Sequence, residues 1–256
     1  MSRDGDRYYE IDGEKYSSVT TNLSVIDKSG ALIPWAVNQE REAIKRAFFS
    51  VSQDDYMWND VIDRLGDQKE YIKKSNEAKN IGSKAHDWIE WYTKQVLLGQ
   101  RSELEMKEPE IPPESRIAID AWLRWVIDWQ FVPLEAEQTV CSKVRGYAGT
   151  KDFRASVKIP PGFSDKHTEG PVVALGDYKT GKRIYPEAYL QNVAYRYADR
   201  EMGNESQIGL IVRLPKTEED PNFEVKIVPE WGTLDEMIED FMAVKRTWEW
   251  TRRKFQ

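Results

Sequence analysis

The chain has 256 residues, of which 40% are hydrophobic, 32% charged and 12% aromatic, enough apolar material to bury a sizeable core and too much for a disordered chain. Its one cysteine, Cys141, excludes an internal disulfide or a cysteine metal cluster, so a cytoplasmic setting is expected, bacterial or that of a phage's host. The formal net charge of -7 argues against a polyanionic partner, but Lys143 to Arg196 carries ten Lys/Arg against five Asp/Glu, a basic segment within an acidic chain.

The start, Met1-Ser2-Arg3-Asp4-Gly5-Asp6, is charged and leads into no apolar stretch, and nowhere does an apolar run approach the roughly 18 residues of a membrane span. Neither secretion nor membrane insertion is expected. Tyr8 to Ile11 and Glu14 to Tyr16 flank Asp12-Gly13, a pair suited to a type I′ turn, which predicts a small β-hairpin. From Leu32 to about Gly99 the pattern is helical, with amphipathic stretches at Ala36 to Phe49 and Lys69 to Val96, the latter containing Gly82. A joint at Pro109, Pro112 and Pro113 opens another helix in which Ile117, Ala121, Trp125 and Trp129 recur every four residues, beside Trp122 and Val126. That spacing makes these tryptophans, with Trp88 and Trp91, packing residues rather than a base-stacking surface.

The period then shortens. Val132 to Ser142, Tyr147 to Lys158 and Val172 to Thr180 read as a three-stranded meander, with a turn at Arg145-Gly146 and a Pro/Gly-rich loop at 159 to 171. Pro186 begins a helix reaching about Met202. Strands at Gln207 to Leu214 and Phe223 to Val228 and a helix from Leu234 to about Lys254 complete an α/β or α+β order. The domain reading is a hairpin and helical layer over 1–130 and a core over 131–256, together one compact unit.

Within the third strand of the meander, Asp177 and Lys179 point to one face, about 6 to 7 Å apart along it, with Tyr178 opposite. Asp-x-Lys alone is weak, since Asp67-Gln68-Lys69 matches it in a polar stretch. One strand earlier, Gly149-Thr150-Lys151-Asp152 supplies a second carboxylate, and two acids on neighbouring strands can share a Mg²⁺ ion, which would polarise a phosphate and activate a water. Gln191 and Tyr195 are four apart and share a helix face, as do His86 and Glu90.

Gly149-x-x-Asp152, then Asp177-x-Lys179-Thr180-Gly181-Lys182, then Gln191-x-x-x-Tyr195, preceded by Gly82-x-x-x-His86, resemble the RecB-like branch of the PD-(D/E)xK nuclease superfamily over residues 80 to 200. The resemblance implies a restriction-endonuclease-like core: a central mixed β-sheet flanked by helices, to which the N-terminal helical layer and small β-hairpin are added. It implies that His86, Asp152, Asp177 and the Tyr178 backbone carbonyl bind Mg²⁺ or Mn²⁺, that Lys179 serves the attacking water, and that Gln191 and Tyr195 position the site and the DNA. Lys151 stands where the superfamily has proline. The iron–sulfur relatives need four cysteines, so no iron–sulfur cluster is expected, and without a P-loop there is no nucleotide cofactor.

Three roles stay open: His86 as ligand or structural histidine, Glu90 as a supporting or solvent-facing residue, and Glu137 as support for Lys179 or the metal or as a water-facing strand residue. Lys143, Arg145, Lys182 and Arg183 are the expected contacts to DNA phosphates, largely independent of sequence. The activity expected is that of a metal-dependent exodeoxyribonuclease working at DNA ends in recombination, repair or phage DNA processing, beside recombination or replication proteins. The competing readings are a nucleic-acid-binding module whose nuclease site has decayed and a structural subunit of a recombination complex. Retention of Asp152, Asp177 and Lys179 together speaks against decay.

Overall fold

The computed structural model describes residues 6–50, 62–63, 65–66, 69–97, 110–163, 170–228 and 232–253. Pro109, Gly99, Asp67-Gln68, Lys254, the first five residues and the middle of the 159–171 loop lie outside the described residues. Contacts gather the chain into two compact units, one of residues 1–26 with 82–256 and one of residues 27–81.

The hairpin forms as expected. Strands β1 (Tyr8–Ile11) and β2 (Glu14–Ser18) pair antiparallel, and Asp12 and Gly13 take positive φ values of 53° and 80°, the left-handed pair that a type I′ turn requires. A short helix α1 (Val19–Asn22) follows. Its β-branched sequence gives no helical signal, but the Ser18 hydroxyl accepts from the Thr21 backbone N–H at 3.0 Å and caps the turn. The unit 27–81 carries α2 (Ser29–Ser50) and the first part of α3 (Glu70–Tyr92). Within it, Arg46 pairs with Glu70 at 2.7 Å and the Glu40 carboxylate accepts from the Tyr71 N–H at 3.2 Å.

From Gly82 onward α3 belongs with the sheet unit, and it runs unbroken through that glycine into a wider turn at Thr93–Leu97. Helix α4 (Pro113–Asp128) opens on its proline, and the stripe Trp122, Trp125 and Trp129 is fully buried. The tryptophans pack against Phe131, Phe153 and Tyr178 in one core cluster, so they are core residues, as their spacing predicts.

Among the described residues the sheet has seven strands. Besides the ribbon it contains β3 (Val132–Ser142), β4 (Tyr147–Val157), β5 (Val172–Thr180), β6 (Ile208–Leu214) and β7 (Glu224–Val228). The path runs β1-β2-β4-β5-β6-β7, with β3 also on β4. The β2–β4 and β5–β6 pairs are parallel and the others antiparallel, making the sheet mixed. Helices α5 (Pro186–Glu201) and α6 (Leu234–Thr251) close a second core cluster containing Tyr147, Leu175, Tyr195, Ile211 and Phe241. The result is the helix-flanked mixed sheet anticipated from the sequence.

One irregularity of this sheet creates the site. β5 pairs with β4 only from Phe153↔Gly176 to Val157↔Val172, and β2 pairs with β4 only at Ser17↔Tyr147 and Ser18↔Ala148. With β3 running along the length of β4, β2 and β5 must share its other edge. Residues 149–152 of β4 therefore have no ladder partner on that edge, and the strands open there.

Candidate active site

Asp152 is the last residue of β4 before pairing with β5 begins. Its Oδ2 accepts a hydrogen bond from the Tyr178 backbone N–H at 2.6 Å, taking the place of a ladder partner at the fork. On β5, alternation puts Tyr178 into the tryptophan cluster and leaves Asp177 and Lys179 to meet α5. Gln191, one helical turn before Tyr195, ties these groups together: its Nε2 donates to Asp177 Oδ1 at 3.1 Å and to the Tyr195 hydroxyl at 3.0 Å, and its Oε1 accepts from Lys179 Nζ at 2.9 Å. Lys179 is also ion-paired with Asp177 Oδ2. That oxygen is buried and accepts no properly angled hydrogen bond, so charge rather than hydrogen bonding holds the contact.

Two glycines of the motifs are explained by close approach. A Cβ on Gly82 would stand 2.5 Å from Thr180 Oγ1, so glycine there lets α3 lie against the end of β5. One turn later His86 reaches the site, with Nδ1 3.9 Å from Asp152 Oδ2 and its ring edge-on to Tyr178. A Cβ on Gly149 would run into the Tyr195 ring, so this glycine seats the tyrosine that steadies Gln191.

The electrostatics are those of carboxylates crowded out of water. Burial pushes the Asp152 carboxyl well above its ordinary range, and Asp177 and Glu137 add to the effect as like charges. Glu137 is pushed up to about 7 by burial and then by Glu90, and it adopts a left-handed φ of 51°, rare away from glycine. Glu90 itself pairs with Lys94 at 2.6 Å. Burial also lowers the His86 pKa, opposed mainly by Asp177.

These groups line one open cleft of about 530 Å³, with His86, Glu137, Asp152, Asp177, Tyr178, Lys179, Gln191 and Tyr195 all on its surface. Among the described residues no three His, Cys, Asp or Glu side chains gather into a group that could hold a metal ion. Mg²⁺ does not need such a cage: one or two carboxylates and several waters suffice. Asp177 Oδ2, met here only by the Lys179 ammonium, and the desolvated Asp152 carboxylate are oxygen donors of the kind that suits a hard cation.

The basic residues expected to touch phosphate divide differently. Lys143 pairs with Asp12 at 2.6 Å, while Arg145 pairs with Glu239 at 2.8 Å and lies over the Tyr197 ring. Neither lines the cleft, and both side chains are engaged by acids distant in sequence. Lys182 and Arg183 lie in the exposed turn after β5, with Arg183 over Tyr185. Lys151, in the superfamily's proline position, is buried between Asp199 at 2.6 Å and Glu135 at 2.5 Å. Sequence reasoning gave no role to Arg7, Tyr9, Ser18 and Thr20, nor to Thr150 and Thr180 within its motifs, all of which line the cleft; the parallel pairing of β2 with β4 that brings the first four there leaves no local signal.

No family model matches the chain, and no curated protein matches it. Solved structures with some likeness include the "Putative exonuclease" of Eubacterium rectale, 13% identical over 77% of this chain and 79% of that one, with a TM-score of 0.35. Another is SSO0001, 8% identical over 84% of this chain and 85% of that one, with a TM-score of 0.30. Likeness at this level carries no functional inference.

Proposed function

We propose that the chain is a metal-dependent deoxyribonuclease that hydrolyses DNA phosphodiester bonds, acting as an exonuclease at DNA ends. The observation that carries this reading is the convergence of Asp152, Asp177 and Lys179 with His86 and Gln191 at the opening between β4 and β5. Carboxylates and an ammonium held at one cleft suit chemistry that neutralises phosphate charge and places a water, with no covalent nucleophile.

In this reading His86, Asp152, Asp177 and the Tyr178 carbonyl hold Mg²⁺ or Mn²⁺, which when bound supplies Lewis-acid polarisation of the phosphate and an activated water. The Tyr178 N–H orients Asp152. Gln191 fixes Asp177 with its amide NH₂ and Lys179 with its carbonyl, so both charged groups move as one. Lys179 is then placed to donate to a water or to a phosphate oxygen, and Tyr195 keeps Gln191 in its rotamer from the buried side. Glu137, desolvated and in a left-handed backbone conformation, supports the same cleft.

The test is incubation of the purified chain with linear and covalently closed circular DNA, with Mg²⁺ or with EDTA. Progressive loss of linear DNA in Mg²⁺ and survival of the circles is the expected result. Intact linear DNA in Mg²⁺ and in Mn²⁺ would refute the nuclease reading, and cut circles would refute its exonuclease part.

A further inference from the structure

The cleft has a second wall, made by the N-terminal ribbon, for which the chemistry above has no use. β2 ends its pairing with β4 at Ser18↔Ala148, one residue before Gly149. The Tyr9 hydroxyl bonds Thr150 Oγ1 at 3.0 Å, fastening the ribbon beside the residues that lead to Asp152. Arg7, Ser18 and Thr20 line the cleft from this side.

Arg7 is held at both ends. Its backbone N–H donates to Thr21 Oγ1 at 3.0 Å, and its carbonyl accepts from the Ser18 N–H at 3.0 Å. Its Nη2 donates to Thr20 Oγ1 at 3.1 Å, and the Ser18 and Thr20 hydroxyls are 3.2 Å apart. One of five guanidinium donors is thus used to set the side chain's direction. Among the described residues the Arg7 guanidinium forms no ion pair, whereas Arg145, Arg154 and Arg213 are each paired with a carboxylate. The other long-chain cation of the cleft, Lys179, is engaged by Asp177.

A cleft with Glu137, Asp152 and Asp177 on its surface repels an anion unless a positive group stands against them. Arg7 supplies that group, and its planar fork suits phosphate oxygens. The Ser18 hydroxyl, buried, donates to Thr21 Oγ1 at 2.9 Å and holds the turn that presents Thr20, while the Thr20 hydroxyl can turn to donate to the same oxygens. We propose that Arg7 and Thr20, held in place by Ser18, form a phosphate-binding subsite that grips the nucleic-acid backbone beside the phosphodiester to be cut; this rests on the nuclease reading. The phosphate is either an internal one or the terminal 5′-phosphate of the strand.

The experiment is fluorescence anisotropy in EDTA with 3′-fluorescein oligonucleotides bearing a 5′-phosphate or a 5′-hydroxyl, titrated at several salt concentrations. Arg7→Ala is expected to weaken binding roughly tenfold and to make the dependence of log Kd on log salt shallower by about one. Arg7→Lys should restore the salt slope but only part of the affinity, and Thr20→Val, which leaves the arginine in place, should show a smaller loss at an unchanged melting temperature. A loss shared by both oligonucleotides identifies an internal phosphate; a loss confined to the phosphorylated one identifies the terminus. Wild-type affinity and slope in Arg7→Ala on both oligonucleotides would overturn the subsite, while cleavage by the unaltered protein would leave the nuclease reading standing. An unaltered protein that neither binds nor cuts would overturn both.

Discussion

Gly149→Ala tests how the first acid motif is built, because its effect should pass through a single side chain. The backbone at Gly149 is not in the left-handed region, so alanine itself fits there and, by restricting the unfolded chain, would by itself stabilise by about 0.4–1 kcal/mol. The added Cβ instead meets the buried Tyr195 ring, with Cδ1 and Cζ at 3.1 Å and Cε1 closer still, inside the ~3.5–4.0 Å carbon contact distance. Overpacking of this kind costs about 1–3 kcal/mol, so a net loss of about 1–2 kcal/mol is expected, or about 2–8 °C in melting temperature for a chain of this size. In a Tyr195→Ala background the ring is gone and the same substitution should be neutral or stabilising. Urea denaturation of the four proteins therefore gives a coupling of at least about 1 kcal/mol. An equal cost of Gly149→Ala in both backgrounds would refute the account. DNA cleavage should fall with the ring displacement, because the Tyr195 hydroxyl steadies Gln191 and through it Lys179 and Asp177.

Asp152→Ala and Asp177→Ala are each expected to abolish Mg²⁺-dependent cleavage by more than a hundredfold while far-UV circular dichroism stays unchanged; undiminished turnover removes that residue from the site. Lys179→Ala should lose most of the rate yet keep binding Mn²⁺ in calorimetry, since an ammonium is no ligand, and lost metal binding in a folded variant contradicts that division. Glu135, held near 2 chiefly by its hydrogen bond to Arg154 and also by Lys151, against an ordinary 4.5, has a depressed pKa. Its stabilisation is complete above about pH 4.5 and is lost as pH falls toward 2. Glu135→Gln should therefore flatten the fall of the urea midpoint between pH 5 and pH 3, and an unchanged slope would discount the Lys151 cluster as the cause.

What the sequence made legible is what short-range periodicity encodes. Asp177 and Lys179 share a face because strands alternate, and Gln191 and Tyr195 meet because a helix repeats every 3.6 residues; both follow from spacing alone. Trp122, Trp125 and Trp129 are core residues for the same reason. His86 needed the resemblance, because its approach to Asp152 depends on where α3 lies against β5. Helix α1 was missed because Val19-Thr20-Thr21 has poor helix propensity and the Ser18 cap decides instead. The ribbon wall was missed because parallel pairing of β2 with β4 joins segments about 130 residues apart, and no local pattern announces such a pair.

The basic segment shows why charge counted along the chain is a poor guide to a binding surface, and it changes the expected salt response. Of its ten cations, Lys143 and Arg145 are paired with Asp12 and Glu239, and Lys151 and Arg154 with Glu135 and Asp199. Arg196 is buried and donates to the Val228, Ser206 and Gln207 carbonyls. Acids and carbonyls from other parts of the chain thus neutralise or engage half of the segment's cations, so an excess of five counted along the chain overstates what the described residues present to solvent. Taking Arg7 of the cleft together with the exposed Lys182 and Arg183 after β5 as the backbone contacts gives about three. Since each contact to duplex DNA contributes about −0.9 to the slope of log K against log salt, the slope should be about −3 rather than the steep dependence that the sequence count suggests. Binding measured between 50 and 200 mM salt should then weaken by less than about a hundredfold. A slope of about −4.5 would mean that Lys143 and Arg145 leave their carboxylates to bind DNA, and that the ion pairs seen in the free protein are exchanged for phosphates on association.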